Sequence, residues 1–224
     1  MPVFSLDTTN RFPDPELSDK SGLIAIGGDL SPNRLLSAYS AGIFPWYSKG
    51  EPILWWSPDP RIILIPNQIK ISKSLNRSMR NKDFDVKFDT RFEEVITECS
   101  TIKRTEGSGT WITEEMKEAY IHLHHLGFAH SVETYIQGKL AGGLYGVSLG
   151  RVFYGESMFF KVRDASKISL VMLARKLTQW GFHLIDAQVE TSHILRMGGI
   201  RVPRKDFLIK LKDALNYPNI TGKW

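Results

Sequence analysis

The sequence contains one cysteine in 224 residues. An internal disulfide framework is therefore excluded, which suits a reducing cytoplasm. This residue, Cys99, falls with Phe92, Val95 and Ile96 on the apolar face of a predicted helix, so we expect core packing rather than nucleophilic chemistry. No apolar run approaches the length of a membrane span, and the N-terminal segment has neither the basic start nor the apolar core of a signal peptide. We expect a soluble cytoplasmic protein with no membrane partner.

Several catalytic motifs are also missing. The six histidines form no HExxH motif and have no accompanying cysteine pair, so we expect no metal site. The segments "IGGDL" and "GGLYG" are not followed by the pattern of a dinucleotide or P-loop fingerprint, and glycine-rich strand turns explain them better. Ser157, in "GESMF", lacks the second glycine of a nucleophile elbow and lies in the middle of a predicted strand. It is therefore not a hydrolase nucleophile.

Positive charge is in excess and is concentrated in one segment. The formal net charge is +5 and the pI is near 9.2, which makes a polyanionic partner plausible. In "KISKSLNRSMRNK" the basic residues recur at steps of three, four and three: Lys70, Lys73, Arg77 and Arg80. On a helix these four form a narrow stripe, with Ile71, Leu75 and Met79 on the opposite side. The stripe is either a solvated outer face or a surface for the phosphates of a nucleic acid.

The chain divides into two regions without repeats. Residues 1–83 predict a small N-terminal α/β domain, in which Ser31 and Pro32 start a short helix that stops at Gly42. Residues 84–224 predict two helices, an antiparallel three-stranded meander, a helix, a returning strand and two more helices, and Thr113 caps the second helix. This order is typical of an α+β domain with a mixed sheet.

A glutamate lies inside the apolar run "GRVFYGESMFF". Strand alternation places Val152, Tyr154, Glu156, Met158 and Phe160 on one face. An ionised carboxylate among such side chains is costly unless it meets a cation or several donors. Glu156 is therefore either a structural residue paired with an arginine, or a site residue whose cation arrives with the substrate.

A second polar pair lies in the core strand "FHLIDAQV", where alternation places Leu184, Asp186 and Gln188 on one face. Buried polar groups need partners. If this strand neighbours that of Glu156, the polar side chains line one cleft, and a carboxylate and an amide that converge on an apolar pocket are typical of a small-ligand site.

Several long blocks resemble the leucyl/phenylalanyl-tRNA–protein transferases of bacteria. They are "GLIAIGGDLSPNRLLSAYSAGIFPWYSKGEPILWWSPDPR", "GTWIT…AY", "GLYGVSLGRVFYGESMF", "DASK" and "LIDAQV". The resemblance extends from Gly22 to Lys212, and its first block is long and unusual enough to be highly specific. It implies a cytoplasmic enzyme that moves Leu or Phe from aminoacyl-tRNA to the N-terminal Arg or Lys of a protein and so marks that protein for degradation. It also implies a C-terminal domain of the GNAT-like acyltransferase fold.

The resemblance also assigns roles to residues. Asp186, oriented with Gln188, is expected to deprotonate the acceptor amine or to position it while a ribose hydroxyl of the tRNA relays the proton. Glu156 is expected to bind the acceptor's cationic side chain. The apolar pocket is expected to include Leu144 and Met158. The residues expected at the aminoacyl-adenosine end are Trp46, Trp111 and Tyr120.

No cofactor is expected, because an aminoacyl ester is already activated and the enzyme has only to position it and stabilise the oxyanion. Two other functions stay open at this stage. One is acetyl-CoA-dependent N-acyl transfer, which the absence of glycine from "FKVRDASK" disfavours, since GNAT acetyltransferases hold pyrophosphate on a glycine-rich turn there. The other is tRNA binding without catalysis.

Overall fold

A computed structural model describes residues 3–81, 83–102 and 112–224. Within these ranges the chain forms seven α-helices and eleven β-strands. The helices are α1 Pro32–Ser40, α2 Lys73–Asn81, α3 Phe92–Thr101, α4 Glu114–His125, α5 Ala165–Gln179, α6 Ser192–Arg196 and α7 Arg204–Ala214. None of the helices in the described ranges has the length and apolar character needed to cross a lipid bilayer.

The strands form two sheets. The strands of the smaller sheet are β1 Phe4–Leu6, β2 Leu23–Gly27, β3 Phe44–Pro45 and β4 Leu54–Trp56, in the order β1-β2-β4-β3. The strands of the larger sheet are β5 Arg61–Leu64, β6 Phe84–Phe88, β7 Ala129–Ile136, β8 Lys139–Leu149, β9 Val152–Phe160, β10 Leu184–Gln188 and β11 Ile200–Val202. Their order is β11-β5-β10-β9-β8-β7-β6, and among these described strands β9 and β10 alone pair in parallel. The predicted α+β class with a mixed sheet is confirmed.

Two predicted helix signals are confirmed. Pro32 is the first residue of α1, and the helix ends just before Gly42, whose φ of +73° favours glycine. A Cβ atom at Gly42 would lie 2.8 Å from Leu208 Cδ2, so a larger residue would also require the Leu208 side chain to shift. Thr113 caps α4, because its Oγ1 accepts a hydrogen bond of 3.2 Å from the backbone amide of Met116.

The larger sheet has an apolar core on each face. Neighbouring residues of β9 show the division, since Tyr154 packs in the first core and Phe153 in the second. The first core contains buried side chains of α1, α3, α4 and α7, and Cys99 is buried there as expected. The second core contains the buried face of α5. The larger sheet therefore separates the two cores, and the direction of a strand residue's side chain decides which core it packs in.

The smaller sheet ends earlier than the predicted boundary between regions. Its last strand stops at Trp56, and the next strand, beginning at Arg61, already belongs to the larger sheet. A division into domains at residue 83 stays a prediction. The chain passes from the smaller sheet to the larger one through residues 57–60, before α2 begins.

Candidate functional site

A cavity of about 680 Å³ opens where β9 and β10 part. The two strands pair only between Val152–Tyr154 and Leu184–Asp186. Beyond these pairs, residues 155–158 and 187–189 border the cavity. Its volume is in the range of small-ligand sites. Five of the predicted site residues line it: Trp46, Leu144, Glu156, Met158 and Gln188.

Glu156 lies at a β-bulge. Tyr145 pairs with Ser157 and Gly146 with Gly155, so Glu156 is an extra residue between them. A bulge reverses the alternation of the strand after it and redirects its own side chain. The prediction that Tyr154, Glu156 and Met158 share one face is therefore wrong for Met158, which packs against the second core. Tyr154 packs in the first core, and Glu156 contacts two tyrosines of that same core.

Three neutral donors hold the Glu156 carboxylate. The Tyr39 hydroxyl donates to Oε1 at 2.8 Å, and the Tyr120 hydroxyl donates to Oε2 at 3.0 Å. The side-chain amide of Gln188 donates to Oε1 at 2.9 Å. The hydroxyl oxygens of Tyr39 and Tyr120 are also in hydrogen-bonding contact with each other, so their two protons are shared among three contacts. These donors fix the orientation of the carboxylate and bring no positive charge to it.

Glu156 has no cationic partner in the part of the chain that the structure describes. Its pKa is raised to about 7, mainly by burial and in part by the negative charge of Asp186, although the hydrogen bonds from Tyr39, Tyr120 and Gln188 act in the opposite direction. The alternative of a structural glutamate paired with an arginine is therefore not what the described residues show. The carboxylate borders the cavity with its charge uncompensated.

Asp186 lies in a different environment. Its carboxylate accepts two hydrogen bonds from Arg61, from Nε at 2.9 Å and from Nη2 at 2.7 Å, and both side chains are fully buried. The Arg61 guanidinium also packs over the rings of Phe44 and Phe207, 4.8 and 4.6 Å from their centroids. Asp186 is not among the residues that line the cavity.

A second bulge lies between Asp186 and Gln188, whose side chains have different partners. Asp186 pairs with Ile63 and Gln188 with Ile62, which leaves Ala187 as the extra residue. Gln188 has a φ of +59°, in the left-handed region that non-glycine residues seldom adopt. Its backbone amide donates to Asp186 Oδ1 at 2.9 Å, while its side chain reaches Glu156. Gln188 lines the cavity and Asp186 does not, so the prediction that both line one cleft is wrong, although both are held in one network.

The predicted aromatic residues are distributed between the surface and the interior. Trp46 lines the cavity and is 42% exposed, and its carbonyl accepts a hydrogen bond of 2.6 Å from the Trp56 indole. Tyr120 is fully buried and contacts Glu156 from beneath instead of bordering the cavity. Trp111 lies outside the described residues. Of the two described residues, Trp46 therefore has the clearer access to a ligand.

The basic stripe is an exposed surface. All four of its side chains are exposed, and none has an ion pair within the ranges described: Lys70, Lys73, Arg77 and Arg80. Leu75 and Met79 pack toward the second core. Lys70 and Ile71 precede α2, and Ile71 is 39% exposed. The prediction of one helix is therefore wrong for Lys70, and the predicted apolar side is shorter than expected. Ser78 anchors α2 by donating to Asp164 Oδ2 at 2.8 Å.

Two residues of the site were missed by the sequence analysis. Tyr39 is on α1, and nothing in its neighbourhood in the sequence indicates a hydroxyl that reaches Glu156, 117 residues away. Arg61 gave a signal, since an arginine that opens the buried run "RIILIP" needs a buried anion. Asp186, in another apolar strand, was the candidate for that anion.

No group of three or more His, Cys, Asp or Glu side chains in the described ranges is arranged to hold a metal ion. The cavity is lined mostly by apolar side chains, with the carboxylate of Glu156 and the amide of Gln188 bonded to each other at its edge. Such a chamber can hold an apolar side chain and place a cationic group against the carboxylate.

The family models and the most similar sequences agree on one family. The family model described as leucyl/phenylalanyl-tRNA protein transferase matches residues 63–212, and the model of that family's N-terminal domain matches residues 28–59. The chain is 54% identical over 226 residues to a leucyl/phenylalanyl-tRNA–protein transferase of Myxococcus xanthus (strain DK1622), covering 100% of this chain and 97% of the relative. It is 53% identical over 224 residues to one of Desulfatibacillum aliphaticivorans, covering 100% and 96%. Among solved structures, a GCN5-related N-acetyltransferase from Kribbella flavida matches with a TM-score of 0.40 and 8% identity, covering 77% of this chain and 61% of that one.

Proposed function

The chain belongs to the leucyl/phenylalanyl-tRNA protein transferase family, and on that basis we propose that its cavity joins Leu or Phe from an aminoacyl-tRNA to a protein that begins with Arg or Lys. The protein is a transferase, as its relatives are named. The reaction takes place in the cytoplasm and marks the acceptor for degradation. The observation that carries the proposal is a carboxylate that borders an apolar cavity without a cation among the described residues.

Glu156 binds the acceptor's cationic side chain. Three neutral donors already orient its carboxylate, and an ionised carboxylate has about four acceptor positions, so capacity for a ligand donor is left. A guanidinium or ammonium group supplies both that donor and the missing charge. Its arrival also favours the ionised form of a carboxyl group whose pKa is raised to about 7.

The donor's side chain occupies the apolar part of the cavity. Leu144 and Met158 line it, together with Phe153, Leu170 and Ile185. Leu and Phe both bury apolar area in such a pocket, and the flexible thioether of Met158 adapts to either shape. A charged donor side chain would lose its hydration without gaining a partner there. The pocket therefore favours uncharged donors.

The reaction is aminolysis of an ester. The acceptor's α-amino nitrogen attacks the ester carbonyl carbon, the bond from that carbon to the ribose oxygen breaks, and the proton lost by the amine ends on the ribose hydroxyl. An α-amino group has a pKa near 8, so a modest fraction is already neutral at cytoplasmic pH. Holding amine and ester in attack geometry then supplies much of the acceleration.

Asp186 acts as a positioning residue in this scheme. Arg61 occupies both of its oxygens, and the side chain is sealed from the cavity, so it has no direct path to the amine. It accepts the backbone amide of Gln188 and so supports the left-handed conformation that directs Gln188 toward Glu156. Gln188 contacts the substrate, whereas Asp186 acts through Gln188.

The tRNA lies along the basic stripe. The four side chains have no ion pairs within the described ranges and are exposed, so they are available to phosphates: Lys70, Lys73, Arg77 and Arg80. Trp46 and Trp111 contact the terminal adenosine, for which aromatic rings offer stacking. Tyr120 acts instead at the acceptor's end of the site, where its hydroxyl orients Glu156.

The test mixes labelled Phe-tRNA, a peptide that begins with Arg, and the protein, and follows label on the peptide. Label should appear on this peptide and on one that begins with Lys. A peptide of the same sequence whose α-amino group is acetylated is the control, because it keeps the cationic side chain and cannot attack. Failure to label the free peptide, with tRNA binding intact, would leave a tRNA-binding protein without transferase activity and overturn the proposal.

A further inference from the structure

Trp224 packs its indole ring against the second core of the larger sheet. The ring stacks on the imidazole of His130 in β7, with 3.8 Å between the centroids and 12° between the planes. Three more aromatic rings lie within contact distance, at centroid separations of 5.0, 5.8 and 6.1 Å: Trp180, Phe153 and Phe182. The proposed reaction gives Trp224 no role.

Hydrogen bonds fix Trp224 through its backbone and through its indole. The backbone amide donates to Asp89 Oδ2 at 2.8 Å, and the indole N–H donates to the carbonyl of Ile220 at 3.2 Å. The Asp89 carboxylate is itself held, because it also accepts hydrogen bonds from the His130 imidazole at 2.9 Å and from the Ser131 amide at 2.8 Å. The Trp224 ring is therefore held in one position against the sheet.

One of the rings that Trp224 contacts, Phe153, also lines the cavity. Phe153 of β9 pairs with Ile185 of β10 just before the two strands part, and both side chains line the cavity. Because the strands are still paired there and Phe153 is fully buried, its ring forms part of the inner wall that closes the cavity. Trp224 is not among the lining residues, so this wall lies between the ligand space and Trp224.

The Phe153 ring depends on Trp224 for support on one side. A Cβ atom at Gly146 would lie 2.6 Å from Phe153 Cε1 and 2.7 Å from Cζ, so the far end of the ring lies over a residue without a side chain. Gly146 pairs with His130, on which Trp224 stacks, so the ring extends across the sheet toward Trp224. Neighbours relax partly into the space left by a large buried side chain. Loss of the indole would therefore let Phe153 recede from the cavity.

We propose that Trp224 is a positioning residue that sets the depth of the donor pocket by holding Phe153 in place. The inference rests on the proposed function, since it concerns the pocket for the donor's side chain. Trp224 acts through Phe153 and does not contact the substrate. A donor with a larger ring system than Phe, such as Trp, is disfavoured because the supported wall does not recede to admit it.

The experiment compares two aromatic donors of different size. One tRNA is acylated chemically with Phe or with Trp, and transfer to a peptide that begins with Arg is measured as kcat/KM for each. Trp224→Ala and Trp224→Leu remove the ring behind Phe153, so the ratio of Trp to Phe transfer should rise about tenfold. Trp224→Phe keeps a ring there and should stay near the wild-type ratio. A merely structural role would lower both transfers together and leave the ratio unchanged.

Two further variants test whether Trp224 acts through Phe153. Phe153→Leu shortens the inner wall directly and should raise the same ratio. Trp224→Ala should add little to Phe153→Leu in the double variant, because the effects of residues that act through one contact are not additive. Tyr217→Ala is the matched control, since this aromatic ring packs against His183 and does not line the cavity, so its ratio should equal that of the wild type.

The outcomes separate this inference from the proposed function. Absence of Phe transfer by the wild-type protein overturns the proposed function itself. Phe transfer with an equal ratio in the wild type and the Ala and Leu variants of Trp224 overturns only the role of Trp224, and so do fully additive effects in the double variant. A melting curve of each variant identifies any that do not fold, and either the Ala or the Leu variant alone is sufficient for the comparison.

Discussion

The two carboxylates beside the junction of β9 and β10 have opposite surroundings. Asp186 is sealed in the interior with both oxygens paired to Arg61, whereas Glu156 borders the cavity and is held by hydroxyl and amide donors alone in the described structure. The fixed cation makes the first carboxylate part of the framework. The carboxylate of Glu156 is held in a fixed orientation, and its charge is available to a cationic ligand. Burial alone therefore does not distinguish structural from functional acids, whereas the charge of the neighbours does.

Among these predictions, replacement of Asp186 by Ala should have the largest effect, which is a loss of stability. Arg61 would be left as a buried charge without its partner, which costs about 3–5 kcal/mol in the free energy of unfolding. Urea unfolding measures it. The matched control replaces both partners, Arg61→Met with Asp186→Leu, and should regain most of the loss. If Asp186→Ala instead abolishes transfer at unchanged unfolding free energy, Asp186 takes part in the chemistry and the contrast between the carboxylates fails.

Replacement of Glu156 by Gln should affect one substrate only. Hydrogen bonds to charged groups contribute about 1.5–3 kcal/mol, so transfer to peptides beginning with Arg or Lys should fall roughly 10- to 150-fold. Binding of Phe-tRNA should change little, because the donor pocket is apolar. Glu98→Gln is the control, since Glu98 pairs with Lys161 away from the cavity. Equal losses for peptide and tRNA, or no loss for the peptide, would show that Glu156 does not recognise the acceptor's charge.

The pH should act on stability and on acceptor binding in opposite directions. The pKa of Glu156 is raised from 4.5 to about 7, so its contribution to stability is fully present below pH 4.5 and is lost as the pH rises through 7. The loss is roughly 2–4 kcal/mol, by the usual conversion of a pKa shift. Affinity for the cationic peptide should rise over the same interval, because binding requires the ionised form.

Unfolding curves between pH 4 and 8, for the wild type and Glu156→Gln, check this pH dependence. The Gln variant should lack the Glu156 component of the slope and be the more stable protein at pH 8. Parallel curves for the two proteins would place the carboxyl group's pKa near its ordinary value.

Tyr39→Phe should have a moderate effect through Glu156. Loss of this donor leaves Oε1 with the Gln188 amide alone, which raises the pKa of Glu156 further and lowers its ionised fraction. Transfer to the Arg peptide at pH 7 should fall roughly 3- to 10-fold and recover in part at pH 8. Tyr47→Phe is the control, because its hydroxyl makes only a 3.4 Å contact with Thr113. A loss of equal size at both pH values would argue against control through the charge of Glu156.

Substitutions in the basic stripe should have the smallest effect. They test tRNA binding independently of the two carboxylates. Lys73→Ala with Arg77→Ala should lower the slope of log Kd against log salt for tRNA binding by about one unit per lost phosphate contact. Peptide affinity and unfolding free energy should stay as in the wild type. Lys139→Ala, an exposed lysine at the start of β8, serves as the control. An unchanged slope in the double variant would show that the stripe is only a solvated face.

Local sequence patterns predicted the helices and strands well. The arrangement of the site was harder to predict, because it depends on contacts between residues far apart in the sequence. Signals such as Pro32 before Gly42, or Thr113 before α4, act within a few residues and are confirmed. The partners of the carboxylates are not local: Arg61 and Asp186 are 125 residues apart in the sequence. The bulges at Glu156 and Ala187 were missed for the same reason. A bulge is defined by the register between two strands, and alternation within one strand carries no record of it.

The bulge in β9 also bears on how this protein can change in length. In β9 the extra residue reverses the order of the side chains that follow it, so Met158 owes its present face to the bulge at Glu156. Deleting one residue of this bulge would not shorten a loop; it would return Met158 to the face of Tyr154. Point substitutions can therefore retune the cavity gradually, whereas a single deletion or insertion in β9 would change its lining in one step.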